Sequence, residues 1–136
     1  RGVDFDLLGL SFYPWWHGEL NDLQACLTIL SERLDKDLIV VETAYPWTLA
    51  WQDGVHNLVG EEEQLHPGYA ATGEGQRDFL TELSRIVCEA PRGRGLLYWE
   101  PAWISAPATG SPWENCALFD FRGAALPALE AFGTSP

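Results

Sequence analysis

Positive charge is scarce in this chain: eight Lys and Arg stand against 20 Asp and Glu in 136 residues, for a formal net charge of -12. Such a surface repels a phosphate backbone instead of neutralising it, so nucleic acid is not an expected partner. What remains for an acidic surface is solubility or adaptation to an extracellular polymer. No run approaches the roughly 20 apolar residues that a membrane-crossing helix needs, so no membrane partner is expected either. Cysteine is limited to Cys26, Cys88 and Cys116. An odd number without a CxxC spacing supplies neither a zinc site nor a complete disulfide framework, and the redox compartment stays open. Cys26 and Cys88 fall on apolar helix positions, where a buried thiol is the simple expectation. Low-complexity tracts and linkers are also missing, so residues 1–136 read as one structural unit. The opening Arg1-Gly2-Val3 holds neither an initiator Met nor an apolar signal segment. That points to numbering that starts inside a longer gene product or after processing.

Aromatic residues, by contrast, are concentrated. Three apolar runs each empty into an aromatic cluster with proline: Tyr13-Pro14-Trp15-Trp16, Tyr45-Pro46-Trp47 and Trp99-Glu100-Pro101-Ala102-Trp103. Proline fixes φ and has no backbone N–H, so each cluster belongs just past the end of a strand. Counting Trp51, six of the seven tryptophans lie in or near these exits. Large rings held in loops expose apolar area at a cost, which points to a ligand that stacks on them, such as a sugar, a base or a peptide.

Periodicity orders the rest as strand, helix, strand, helix, strand, short helix. The first strand spans Asp6 to Phe12 and is nearly continuous in apolar residues, as for a strand covered on both faces. Leu20, Leu23, Leu27, Leu30 and Leu34 recur at steps of three or four through a helix from about Asn21 to Leu34. Leu38-Ile39-Val40-Val41 is the second strand and ends at Glu42. A polar stretch from Trp51 to Gly73 is longer than an idle connection, which suggests a functional lid or disorder. The second helix starts near Thr72, carries Phe79, Leu80, Leu83, Ile86 and Val87 on one stripe, and stops at Pro91. Leu96-Leu97-Tyr98-Trp99 is the third strand, and a short helix surrounds Leu126, Leu129 and Phe132. Alternating strands and helices with right-handed crossovers make a parallel sheet whose exits share one edge. The first exit is not a glycine-rich phosphate loop, so a barrel is favoured over an open doubly wound sheet. The fold class is therefore α/β, about the last three β/α units of a (β/α)8 TIM barrel, since a whole one needs roughly 250 residues.

Glu42 closes the most apolar strand, where an ionised carboxylate is expensive unless it is paired or employed. Glu100 holds the same place on the third strand. Two carboxylates above a tryptophan-lined pocket suit glycoside hydrolysis, one as acid and the other as base or nucleophile. On spacing alone, either could be a catalyst.

The strings SFYPWWHG (11–18), VVETAYPWT (40–48), YWEPAW (98–103) and SPWENCALFDF (111–121) resemble the last three strand-and-loop segments of family 53 glycoside hydrolases, in the correct order. These are endo-β-1,4-galactanases of a large retaining clan with (β/α)8 barrels. The resemblance implies a secreted endo-hydrolase of β-1,4-galactan, the arabinogalactan type I side chain of pectin, with galactan or galacto-oligosaccharides as its partner. It makes Glu42 the nucleophile and Tyr13 the residue whose hydroxyl steadies it. Trp99 becomes the floor of the sugar site next to the cleaved bond, and Trp15, Trp16, His17, Tyr45 and Trp47 become walls for flanking sugars. His17 would bond a sugar hydroxyl or Glu42. The acid/base Glu belongs to the end of the fourth strand and matches no position here, because Arg1 precedes what resembles the sixth strand. The chain would then need the N-terminal barrel half or self-association, and would be inactive alone. Glu100 loses its claim as the acid. No cofactor is expected. Some bacterial members hold calcium after the seventh strand, where Asp53, His56 and Asn57 stand, but the acidic ligand spacing here is thin. Other polysaccharidases of the clan, of mannanase or cellulase type, would share Glu42, and a non-catalytic sugar-binding fragment is the reading from another class.

Overall fold

The computed structural model describes residues 2–133. In chain order its elements are β1 (Leu7–Ser11), a single-turn helix α1 (Pro14–His17), α2 (Leu20–Arg33), β2 (Asp37–Glu42), α3 (Gly73–Glu89) and β3 (Gly93–Leu96). Short 3-10 turns lie at Glu62–Gln64, Glu114–Cys116 and Pro127–Phe132. The strands are parallel and ordered β1-β2-β3. Parallel neighbours need a crossover, and α2 and α3 supply the two that are required. All three strand exits therefore open on one edge.

Local chemistry sets the helix ends. At the start of α2 the Glu19 N–H donates to Asp22 Oδ2 at 2.8 Å, half of a reciprocal capping box. Leu20, Leu23 and Leu27 are the buried stripe of this helix. The Thr72 hydroxyl caps α3 by accepting the Gly75 N–H at 2.9 Å. Its buried stripe is Phe79, Leu80, Leu83, Ile86 and Val87, and Ala90 turns extended ahead of Pro91. Gly93 must be glycine, because a Cβ there would stand 1.6 Å from the Val87 carbonyl oxygen.

Leu38 and Val40, with Leu8 and Leu10 beside them, pack against the helices as the main core. The opposite face of the sheet, with Leu7, Leu97 and Trp99, is open: these three are 44%, 54% and 38% exposed. Register matters at the exit. Leu10 pairs with Val40, but Ser11 pairs with Glu42 instead of Val41, so β2 carries one extra residue at its end. That slip turns Glu42 onto the Ser11 side, the open face.

Three expectations are corrected. The third strand begins earlier, at Gly93, because the irregular step at Gly95, with φ 133, still allows pairing with Leu38 and Val40. Ladder-like bonds nevertheless run on past Leu96, from the Leu97 N–H to Val40 O and from the Trp99 N–H to Thr43 O, both 2.8 Å. Cys26 and Cys88 are exposed, and only Cys116 is buried. Cys26 lies on the flank of the leucine stripe, beside Leu10 and Phe12 at the free β1 edge. Cys88 lies one step past Val87, beyond the edge of the α3 stripe. The long stretch after β2 is an ordered loop. Leu58 N–H bonds Pro112 O at 2.9 Å, and Asn115 Nδ2 bonds Thr48 O at 2.8 Å and Val59 O at 2.7 Å, which stitches it to the loop after β3.

Candidate active site

Glu42 projects from the end of β2 with Oε2 accepting two hydroxyls, Ser11 Oγ at 3.2 Å and Tyr13 OH at 3.4 Å. Both donors come from the β1 exit, so two adjacent strands hold one carboxylate oxygen. The other oxygen has no protein donor among the described residues. Tyr13 is 3% exposed, its ring walled by Trp15 at 5.3 Å, Trp16 at 5.2 Å and Trp113 at 5.7 Å between centroids. Burial first, and then the Glu42 charge and hydrogen bond, push the Tyr13 phenol well above its ordinary value. It therefore stays protonated and donates at any ordinary pH.

Around this pair the rings differ in what they offer. Trp16 is 57% exposed and Trp99 is 38% exposed on the open face. Trp15 is half-buried, and its indole N–H has no acceptor among the described residues. The Tyr13 N–H donates to His17 Nδ1 at 2.9 Å, so among the described residues His17 is tied to the backbone and not to Glu42. Trp47 is half-buried and lies 4.8 Å from Phe121 between ring centroids, and its backbone N–H donates to Asn115 O at 2.9 Å.

A carboxylate braced by two hydroxyls at the end of a parallel strand can serve as one of the two carboxylates that glycoside hydrolysis uses. The model of Glycosyl hydrolase family 53 matches residues 1–132. The chain belongs to glycosyl hydrolase family 53. A Niallia circulans protein of uncharacterised activity is 49% identical over 137 residues, which cover 96% of this chain and 37% of that protein. The arabinogalactan endo-beta-1,4-galactanase of Cellvibrio japonicus (strain Ueda107) is 39% identical over 138 residues, 96% of this chain and 36% of that enzyme. The solved Ignisphaera aggregans GH53 catalytic domain superposes with a TM-score of 0.90 at 41% identity, over 96% of this chain and 39% of that one. The chain thus spans less than two fifths of these relatives' length. Its α/β fold is the corresponding part of the family 53 (β/α)8 barrel.

Not every residue assigned to the family 53 cleft faces it. Tyr45 is fully buried and stacks on Phe79 at 4.2 Å between centroids. Its hydroxyl donates to Tyr69 O at 2.7 Å and accepts the His66 N–H at 3.1 Å, and burial raises its phenol to about 12. Tyr45 is a core residue and not a wall for sugars. A single Pro after it turns the chain so that Trp47, not Tyr45, reaches the exit. Glu100 has a positive φ of 51° and lines a hollow with Pro101, Ala102 and Trp103.

The three residues considered for calcium do not converge. Asp53 is bound by Ser105 Oγ, by the Ser111 N–H at 2.8 Å and by the Val55 N–H at 2.6 Å, which hold its carboxyl below the usual range. His56 packs edge-on to Trp51, and Asn57 Nδ2 turns to Ala50 O. The acidic partner of Asp53 is instead the fully buried Glu114, since Ser105 Oγ touches both carboxylates.

Two contributors escaped the sequence reading. Ser11 looked like one more residue of a buried strand, and only the register slip opposite Glu42 reveals it. Trp113 was the seventh tryptophan, in no strand exit, yet it closes the wall behind Tyr13 and Trp15.

Proposed function

We propose that this chain is the nucleophile-bearing part of a retaining endo-hydrolase of β-1,4-galactan. The observation that carries the reading is Glu42 at the β2 exit with Oε2 held by Ser11 and Tyr13 and its second oxygen without a protein donor among the described residues. Membership of family 53 supports the hydrolase class, and the galactanase name of the Cellvibrio relative supports the substrate. In this reading the free oxygen of Glu42 attacks the anomeric carbon as the bond to the leaving oxygen breaks, and a covalent glycosyl-enzyme forms. An acid outside this chain protonates the leaving oxygen, then takes a proton from the water that cleaves the intermediate. Tyr13 and Ser11 keep the carboxylate aimed. Trp99 supports the sugar under attack, and Trp15, Trp16 and His17 border its neighbours. A polymeric substrate that cells do not import places the enzyme outside the cell.

Substitution tests it. In a complete barrel enzyme containing residues 1–136, Glu42→Gln is expected to lower kcat by several orders of magnitude while galactan still binds. A mild loss of rate in a well-folded variant would refute the assignment.

A further inference from the structure

Tyr98 stands one residue before Trp99 at the β3 exit and faces the other way: Trp99 lies on the open face, while Tyr98 packs against both the main core and the smaller cluster of Tyr13, Ala44, Val59 and Cys116. Its hydroxyl joins three segments. It accepts the Tyr45 N–H at 3.0 Å and Gln76 Nε2 at 3.3 Å, and it donates to Cys116 O at 2.6 Å. We propose that Tyr98 is a positioning residue for glycoside cleavage, its hydroxyl setting the Trp99 indole against Glu42; this rests on the hydrolase reading above.

Glu42 is held without Tyr98. Ser11 and Tyr13 brace its carboxylate. Three residues on, Tyr45 is gripped by the stack of its ring on Phe79, by its hydroxyl on Tyr69 O, and at its carbonyl by Gln76 Nε2 at 2.8 Å. The β3 exit has fewer ties. Its pairing with β2 ends at Leu96 opposite Val40, three residues short of Trp99, and Glu100 then breaks the strand with a φ of 51°. Between these points the Leu97 and Trp99 N–H groups bond Val40 O and Thr43 O. Two bonds along one strand edge resist sliding but permit tilting about that edge. A third contact, a ring's length away on the side opposite Trp99, stops the tilt.

The hydroxyl is not needed to fill space, since phenylalanine has the same ring. What it adds is bonding: its one proton and both lone pairs are engaged, as a buried polar group requires. Burial also raises the Tyr98 phenol well above its ordinary value, so the proton stays in place. A misplacement of about 1 Å near the reacting atoms can cost roughly a hundredfold in rate, so a small tilt of the Trp99 indole is enough to matter.

The test is a double-mutant cycle in a complete barrel enzyme containing residues 1–136. Tyr98→Phe, Trp99→Ala and the pair are assayed on β-1,4-galactan, mannan and cellulose at a temperature where urea titration shows every variant folded. Tyr98→Phe is expected to lower kcat roughly tenfold with KM within about twofold of the parent, and to lower kcat by less than about twofold in the Trp99→Ala background. A hydroxyl with only a structural role would shift the urea midpoint equally in both backgrounds and leave kcat of the folded protein unchanged. That result, or equal losses of kcat in both backgrounds, would overturn the positioning. Cutting of mannan or cellulose instead of galactan would overturn the galactan reading, and the cycle on the glycan that is cut would still judge Tyr98. If none is cut, the hydrolase reading fails and calorimetry with the three hexaoses decides: a loss of affinity from Tyr98→Phe that disappears in the Trp99→Ala background supports the placement of Trp99 by Tyr98, and equal losses or absent binding overturn it.

Discussion

Tyr13 reaches Glu42 through one hydroxyl, 3.4 Å from Oε2, while its ring is locked among Trp15, Trp16 and Trp113. Hydrogen bond and packing can therefore be separated. Tyr13→Phe keeps the ring and removes only the donor, and a hydrogen bond to a charged group is worth about 1.5–3 kcal/mol. The expected result in the complete enzyme is a fall in kcat of roughly ten- to hundredfold with the melting temperature unchanged. A variant with parental kcat would mean that Ser11 alone orients the carboxylate. The same residues show what the sequence could reveal. Glu42 was legible because an ionisable group ends an apolar strand, and Tyr13 because a motif resemblance pointed to it. Tyr45 was misread because an aromatic before Pro looks the same whether it stacks on a ligand or, as here, on Phe79. Ser11 was invisible, since a one-residue register slip leaves no mark in composition.

At the scale of elements, α2 and α3 were legible from leucine and mixed apolar stripes, whose period the buried residues reproduce. The loop after β2 was not, because its order comes from another segment far along the chain. Asn115, fully buried, supplies two of those bonds from one amide, to Thr48 O and Val59 O. Asn115→Ala leaves the buried Val59 carbonyl and the half-buried Thr48 carbonyl without this donor and is expected to destabilise the complete enzyme by about 2–4 kcal/mol in chemical denaturation. A change within experimental scatter would show that the two loops are held elsewhere. Asp53 gives this junction a pH dependence. Ser105, Ser111 and Val55 hold its carboxyl below the ordinary value of 3.8, so the folded state favours the ionised form. That stability is complete above the ordinary value and is lost as pH falls through the lowered one. Melting curves of the parent and Asp53→Asn should then converge below about pH 4 and separate at neutral pH, with the parent higher. A constant difference across that range would remove Asp53 from the account.

For the whole molecule, the decisive feature is the open face of the sheet. Leu7, Leu97 and Trp99 stand exposed on it, and β1 and β3 are both edge strands. In a closed barrel this face is the packed interior, and strand edges do not exist. Uncovered, it combines an apolar patch with unpaired N–H and C=O groups, the two features that drive chains to associate. Residues 1–136 produced alone are therefore expected to self-associate at micromolar concentration, to bind a hydrophobic dye, and to release no reducing sugar from β-1,4-galactan. The last follows from chemistry as well as folding, since Glu42 cannot both form the glycosyl-enzyme and protonate the leaving oxygen. Light scattering and a reducing-sugar assay check it, with a segment carrying the remaining strands and the acid added back in the second arm. Restoration of hydrolysis on mixing would show that the open face recognises the rest of the barrel. A monodisperse 15.2 kDa monomer that unfolds cooperatively would refute the association. Galactan hydrolysis by that monomer, abolished by Glu100→Gln, would make Glu100 the acid and place both carboxylates in this chain.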